Sequence, residues 1–326
     1  MTIRVSVVIP TCRRPELLGR CLEALLGQTL PAAEFEVIVV DDGDCARTRQ
    51  IVAAVSGARI RPDGPRIRLL QALATQGPAA ARNLGWRHAQ GEVIAFTDDD
   101  TVPVRDWLAE GLKALRPTLA AVAGRVVVPT PARATDFERM TKGLEDAEFV
   151  TANAFVRRAA LEAVGGFDER FLRAWREDSD LQFRLIRSGR AIGWAPMAVV
   201  EHPVREAPWG ISLRLQRNVF FDALLYKKHP QLYRLKLRPR PPWAYFVIVL
   251  AHGLALAATL AGGMVVAVGA WCVALGLSLR LAIQRLKGAS LAPSHVLEML
   301  TTSLLIPFLS VYWRLAGAWH FKVRFI

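Results

Sequence analysis

This 326-residue sequence predicts an α/β fold, a mainly parallel sheet between helices followed by apolar C-terminal helices, and three observations support it. Short apolar runs alternate with helically periodic segments as far as Val200. Two of those runs stop abruptly at adjacent carboxylates. From Trp243 to Leu279 there is no Asp, Glu, Lys or Arg. Alternation of this kind builds parallel strands joined by crossover helices, and such sheets bind ligands beyond the carboxyl ends of their strands.

Taken in order, Val5 to Pro10 is an apolar run of buried-strand length, and Pro15 to Leu26 is helically periodic with proline where a first turn accepts it. Phe35 to Val40 reads as a strand ending in Asp41-Asp42. Ala46 to Val55 reads as helix, Ile67 to Leu70 as strand, Pro78 to Ala89 as helix and Val93 to Thr97 as strand. The expected ligand edge therefore collects Thr11, Arg13, Asp41, Asp42, Asp98, Asp99 and Asp100, without a dinucleotide glycine fingerprint or a phosphate-loop lysine. Ala198 to Val200 is a further apolar run, and it places His202 at another strand end.

The triplet Asp98-Asp99-Asp100 carries the most chemistry. Three like charges at a strand end repel one another, and either a divalent cation or the solvation of a plain acidic turn relieves that repulsion. In an extended chain Asp98 and Asp100 share one face and Asp99 takes the other. Hard oxygen ligands suit Mn²⁺ or Mg²⁺, above all where the metal also carries phosphate oxygens.

The formal net charge is +13, which suits nucleic acid or anionic lipid. Lys227, Lys228, Arg234, Lys236, Arg238 and Arg240 crowd the segment before the longest apolar run and interleave with Tyr226, Leu232, Tyr233, Leu235 and Leu237. That placement favours anionic membrane lipids and argues against nucleic acid. The run from Trp243 to Leu279 is long enough for two short spans of ~20 residues each, with Gly262-Gly263 at the turn. Arg280, Arg285 and Lys287 return the chain to the basic side. The stretch from Leu304 to Trp319, interrupted by Pro307 and Arg314, reads as interfacial or re-entrant. The expected division is 1–230, a basic linker at 231–242 and a membrane region at 243–326, with a hairpin at 243–279 and the interfacial or re-entrant segment at 296–319. Val5 to Pro10 is too short for a signal peptide and is followed by Arg13-Arg14, so the first domain is expected to face the cytoplasm at the inner (cytoplasmic) membrane. Cys12, Cys21, Cys45 and Cys272 show no paired or metal-binding spacing and read as reduced thiols.

Val-Val-Ile-Pro-Thr-Cys-Arg-Arg (7–14), Val-Val-Asp-Asp-Gly (39–43), Gly-Pro-Ala-Ala-Ala-Arg-Asn-Leu-Gly (77–85), Thr-Asp-Asp-Asp (97–100), Gly-Gly-Phe-Asp-Glu (165–169) and Glu-Asp-Ser-Asp-Leu (177–181) occur in that order. Together they resemble family 2 of the inverting, nucleotide-sugar-dependent glycosyltransferases with the A-type fold, over roughly residues 4–230. The resemblance implies an enzyme with Asp178 as the base and Glu177 orienting the acceptor or tuning that base. It implies a nucleotide site of Thr11, Arg13, Asp41, Asp42, Arg82, Asn83, Asp98 and Asp99, and metal ligands Asp98, Asp100 and His202. Bland readings stand beside these roles: an acidic helix start for Glu177 and Asp178, a surface histidine for His202, and a salt bridge to Asp41 or Asp98 for Arg82. Asn153 resembles the family's acceptor-side strand or is a strand-edge amide, and Trp175 stacks on a sugar or packs in the core. Processive polysaccharide synthases of the family carry Gln-x-x-Arg-Trp, whereas here Arg214-Leu215-Gln216-Arg217-Asn218 lacks the tryptophan. The expectation is metal-dependent transfer of a single sugar from a nucleotide-sugar donor to a lipid-linked, membrane-delivered or polysaccharide-precursor acceptor, as in cell-envelope biosynthesis. The alternatives are a catalytically idle membrane scaffold and a nucleotidyltransferase. Self-association is compatible with each.

Overall fold

The computed structural model describes residues 2–56, 64–72 and 77–325. The chain packs as two compact units, Met1–Pro129 with Lys142–Val204, and Thr130–Thr141 with Arg205–Ile326. The elements run β1 (Val5–Thr11), α1 (Pro15–Leu26), β2 (Phe35–Asp41), α2 (Ala46–Ser56), β3 (Arg66–Gln71), α3 (Pro78–His88), β4 (Val93–Thr97), β5 (Val102–Pro103), α4 (Trp107–Ala114), β6 (Leu119–Val127), α5 (Asp136–Lys142), β7 (Asn153–Arg157), α6 (Arg158–Val164), α7 (Glu177–Arg187) and β8 (Ala191–Glu201). They continue with α8 (Ile211–Leu215), α9 (Val219–Lys228), α10 (Pro230–Lys236), α11 (Trp243–Leu260), α12 (Met264–Leu286) and α13 (Pro293–His320).

In the first unit one sheet has the order β3-β2-β1-β4-β7-β6-β8-β5. The half formed by β3, β2, β1 and β4 is parallel, as the alternation predicts. Beyond it the sheet is mixed, because β7 runs antiparallel to both β4 and β6. Successive side chains of a strand point to opposite faces, and the core divides accordingly. Val7, Ile9, Val37 and Val39 pack with Leu18, Leu22 and Leu25 of α1 and Trp107 of α4 on one face. Val8, Ile38, Val40, Ile94 and Phe96 pack with α3, α6 and α7 on the other. Each such side chain contributes about 1.5–3 kcal/mol on full burial. Helix α3 lies close against the sheet because residue 85 has no side chain: a Cβ on Gly85 would collide with Val8. Since β1, β2 and β4 run in parallel, Thr11, Asp41 and Thr97 end on the same edge.

In the second unit α11 and α12 form a hairpin turned by Gly262 at φ 76°. Ala251 and Ala255 face inward on α11, and Ala267, Ala270, Ala274, Ser278 and Ala282 on α12. Small residues let helix backbones approach closely, while Leu250, Leu254 and Val265 are exposed. The second hairpin helix runs on to Leu286, beyond the uncharged stretch. The segment expected to be interfacial or re-entrant lies within one continuous 28-residue helix that runs through Pro307. It packs on α9, α11 and α12, and neighbouring helices of this kind compensate the backbone group a proline leaves open. Among the described residues α11, α12 and α13 are each long and apolar enough to cross a membrane. Residues 205–230 belong with these helices, because α9 packs on α13. Arg285, expected among the charges beside the lipid, is tied inward to Asp136 at 2.7 Å and to Thr302 at 2.7 Å.

Candidate active site

The strand β4 ends in a tight turn, in which the Thr101 hydroxyl donates to the Asp98 carbonyl at 2.8 Å and Thr97 Oγ1 lies 2.6 Å from Thr101 Oγ1. The turn keeps the alternation expected of the triplet. Asp98 and Asp100 converge with His202, each offering a ligand atom within 4.8 Å of the others. Asp99 points elsewhere: it accepts from the Thr11 hydroxyl at 2.7 Å and from Arg14 at 3.0 Å. The pairing of β5 with β8 aligns Val102 with Glu201, which brings His202 Nε2 to 3.5 Å from Asp100. The His202 ring is buried, and its Nδ1 has no hydrogen-bond partner. Two hard carboxylates and an imidazole with an orphaned ring nitrogen suit a divalent ion such as Mn²⁺. Burial pushes the Asp99 carboxyl up to about 6, with Arg14 opposing the rise.

Arg82, on α3, is almost fully buried and joins two parts of the site. It donates to Asp98 at 2.7 Å and to Glu177 at 3.0 Å, and its guanidinium carbon lies 5.8 Å from the Phe167 ring centre. Glu177 and Asp178 occupy the first turn of α7, where the helix dipole favours negative charge. The residue before them, Arg176, adopts φ 75° and stacks on Trp175 at 4.5 Å. Burial raises the carboxyls of both Glu177 and Asp178, and each also feels nearby negative charge; Arg82 works in the opposite direction on both.

The remaining expected residues fall in different places. Both Asp41 oxygens accept backbone N–H groups, from Gly43 at 2.9 Å and Cys45 at 2.8 Å, so Asp41 shapes its own loop. Asp42 accepts from Gly77 N at 2.7 Å with one oxygen, and its buried Oδ1 has no partner. Arg13 is exposed at φ 55°, and its Nε donates to the Gly43 carbonyl at 3.4 Å. Arg14, which the sequence reading passed over, is the arginine at the acidic turn; the left-handed backbone of Arg13 separates the two side chains.

Asn83 uses its whole amide. It donates to the Phe167 carbonyl and Glu169, and accepts from Phe167 N and Trp86 Nε1. It therefore pins the Gly165-Gly166 turn, whose glycines sit at φ 76° and 70°; a Cβ on Gly166 would lie 2.5 Å from Asn83 Oδ1. Asn153 is fully buried, taking a bond from Trp107 and donating to the Arg125 and Ala198 carbonyls. It locks β6, β7 and β8 together. Arg214 and Arg217 lie in the second unit, where Arg217 sits 5.9 Å over Trp313. The four cysteines are free thiols.

Residues 6–165 match the Glycosyl transferase family 2 profile, and residues 93–315 match that of Glycosyl transferase family group 2. Glycosyltransferase AglE of Haloferax volcanii is 31% identical over 225 residues, which span 66% of this chain and 71% of that protein. The pre-mycofactocin glycosyltransferase of Mycobacterium tuberculosis is 33% identical over 247 residues, 69% of this chain and 48% of that one. Among solved structures, the mannosyltransferase PcManGT from Pyrobaculum calidifontis, in complex with GDP-Man and Mn²⁺, superposes with a TM-score of 0.60 at 24% identity, covering 96% of this chain and 88% of its own. That likeness is one of fold.

Proposed function

The chain belongs to glycosyl transferase family 2, and from that premise we propose that it moves a single sugar, with inversion, from a nucleotide-sugar donor to a lipid-linked acceptor at the cytoplasmic membrane face. The observation that carries this reading is the Arg82 bridge, which ties the Asp98–Asp100–His202 cluster to the Glu177–Asp178 pair. A donor diphosphate at the cluster would then present its sugar to the acidic pair. Asp98, Asp100 and His202 would hold a divalent ion, and when bound it supplies a Lewis acid that offsets charge on the departing nucleoside diphosphate.

The chain's own residues supply the rest. Asp42 Oδ1, buried and without a partner, is the acceptor we assign to an N–H on the donor's base. It takes this role from Asp41, whose oxygens the Gly43 and Cys45 amides occupy. Asp178 takes the proton of the acceptor hydroxyl as its oxygen bonds to the anomeric carbon and the bond from that carbon to the diphosphate breaks. The raised carboxyl of Asp178 makes it a stronger base than an exposed aspartate. The Ser179 N–H donates to Asp178 Oδ1 at 2.6 Å and holds the carboxylate in place. The three apolar helices support an acceptor that arrives in the membrane.

The test is Asp178→Asn, which keeps shape but cannot accept the proton. Donor affinity by calorimetry should persist while sugar transfer falls about 10²–10⁴-fold, with Glu177→Gln less affected. Near-normal transfer by Asp178→Asn removes it as the base, and joint loss of folding and donor binding makes it structural.

A further inference from the structure

Arg82 stands in an unusual position for a residue beside a divalent-ion site. Its side chain is 3% exposed, and that of Glu177 is 4%, whereas Asp98 between them and solvent is 26% exposed. The guanidinium donates to the same Asp98 that the metal cluster uses, and the Arg82 Nε and Glu177 Oε2 are both buried without hydrogen-bond partners. The bridge is therefore incompletely satisfied at both ends. With an acceptor open on Glu177, a guanidinium released from Asp98 has a bidentate pair available to it, of the kind arginine and carboxylate prefer.

A divalent ion arriving at Asp98 meets that guanidinium as a like charge. Close, partly desolvated like charges repel strongly, and Asp98 cannot give its charge in full to both. We infer that Arg82 is a positioning residue that serves as the resident counter-cation of Asp98, that the divalent ion displaces it, and that the displaced guanidinium closes onto Glu177. The unloaded cluster is thus kept neutralised and shaped, and the acidic pair receives its full counter-charge only once the metal is in place. This inference rests on the metal reading above and adds to it an order of assembly: metal first, then the set base.

A structural role alone predicts that removing Arg82 loosens the site and weakens metal binding. The displacement role predicts the opposite sign. Binding of Mn²⁺ to the full-length protein in detergent, followed by the loss of the free-ion signal in electron paramagnetic resonance, separates them. Arg82→Gln should bind Mn²⁺ about tenfold more tightly than wild type, since one opposing charge is removed beside the ion, while sugar transfer falls. Arg82→Lys keeps the charge but cannot span two carboxylates, so Mn²⁺ affinity should stay within about threefold of wild type with transfer again reduced.

If Arg82→Gln leaves Glu177 too exposed to burial cost to fold, the double variant Arg82→Gln/Glu177→Gln removes both buried charges, and it should bind Mn²⁺ about tenfold more tightly than Glu177→Gln alone. Wild type that binds Mn²⁺ with neither comparison showing tightening overturns the inference and leaves the metal reading standing. Wild type that binds no Mn²⁺ overturns both.

Discussion

The turns after β2 and β4, the two strands that flank β1, both present adjacent aspartates, and they use them in opposite ways. After β2, Asp41 is turned into the backbone and holds the Gly43 and Cys45 amides. After β4, Asp98 and Asp100 converge with His202, and Asp99 between them is held by Thr11 and Arg14. The difference lies in where donors are found. A loop that curls back offers its own N–H groups to a carboxylate, whereas the β4 turn satisfies itself through Thr97 and Thr101 hydroxyls and leaves its carboxylates to other partners.

The comparison breaks most readily at Asp41. Asp41→Ala removes a buried acceptor from two amides, and it should cost about 2–4 kcal/mol of stability, with or without Mn²⁺. The variant should still gain thermal stability when Mn²⁺ is added, because a ligand that binds only the folded state stabilises it. Asp100→Ala should lose that Mn²⁺-dependent gain. Melting curves in chelator and in Mn²⁺ check both, and an Asp41→Ala protein that melts normally yet ignores Mn²⁺ would exchange the two roles.

A smaller effect sharpens the contrast within the β4 turn. The folded-state carboxyl of Asp99 is pushed up to about 6 by burial, from 3.8. A raised carboxyl stabilises the fold below its unfolded value, and that contribution is lost as pH rises through the folded one. In chelator, Asp99→Asn should therefore gain stability relative to wild type between about pH 4 and 6, by about 1–3 kcal/mol. A difference that stays constant across this window means that Asp99 does not titrate there.

Much of this was legible beforehand, and the limits have physical causes. The strands and helices from Val5 to Thr97 follow their periodicity to within a residue or so, since local pattern decides them. The antiparallel insertion of β7 was not legible, because it depends on pairing across the sheet with β4 and β6. The alternation of Asp98, Asp99 and Asp100 could be read from strand geometry. The choice between Asp41 and Asp42 could not, as it turns on which carboxylate finds the Gly43 and Cys45 amides. Arg13 and Arg14 are likewise equal in sequence, and a single positive φ at Arg13 decides which reaches the acidic turn. For α13, Pro307 and Arg314 argued for an interruption, but packing on α9, α11 and α12 carries the helix through.

We propose that Asp98 and Asp100 act through a divalent ion that in turn holds the nucleoside diphosphate. Calorimetry with uridine, guanosine and thymidine diphosphates in Mn²⁺ and in chelator identifies the one that binds wild type most tightly. That ligand is then measured against Asp100→Ala under both conditions. The substitution should weaken binding in Mn²⁺ and make no further difference in chelator. Equal loss in the two conditions would contradict it.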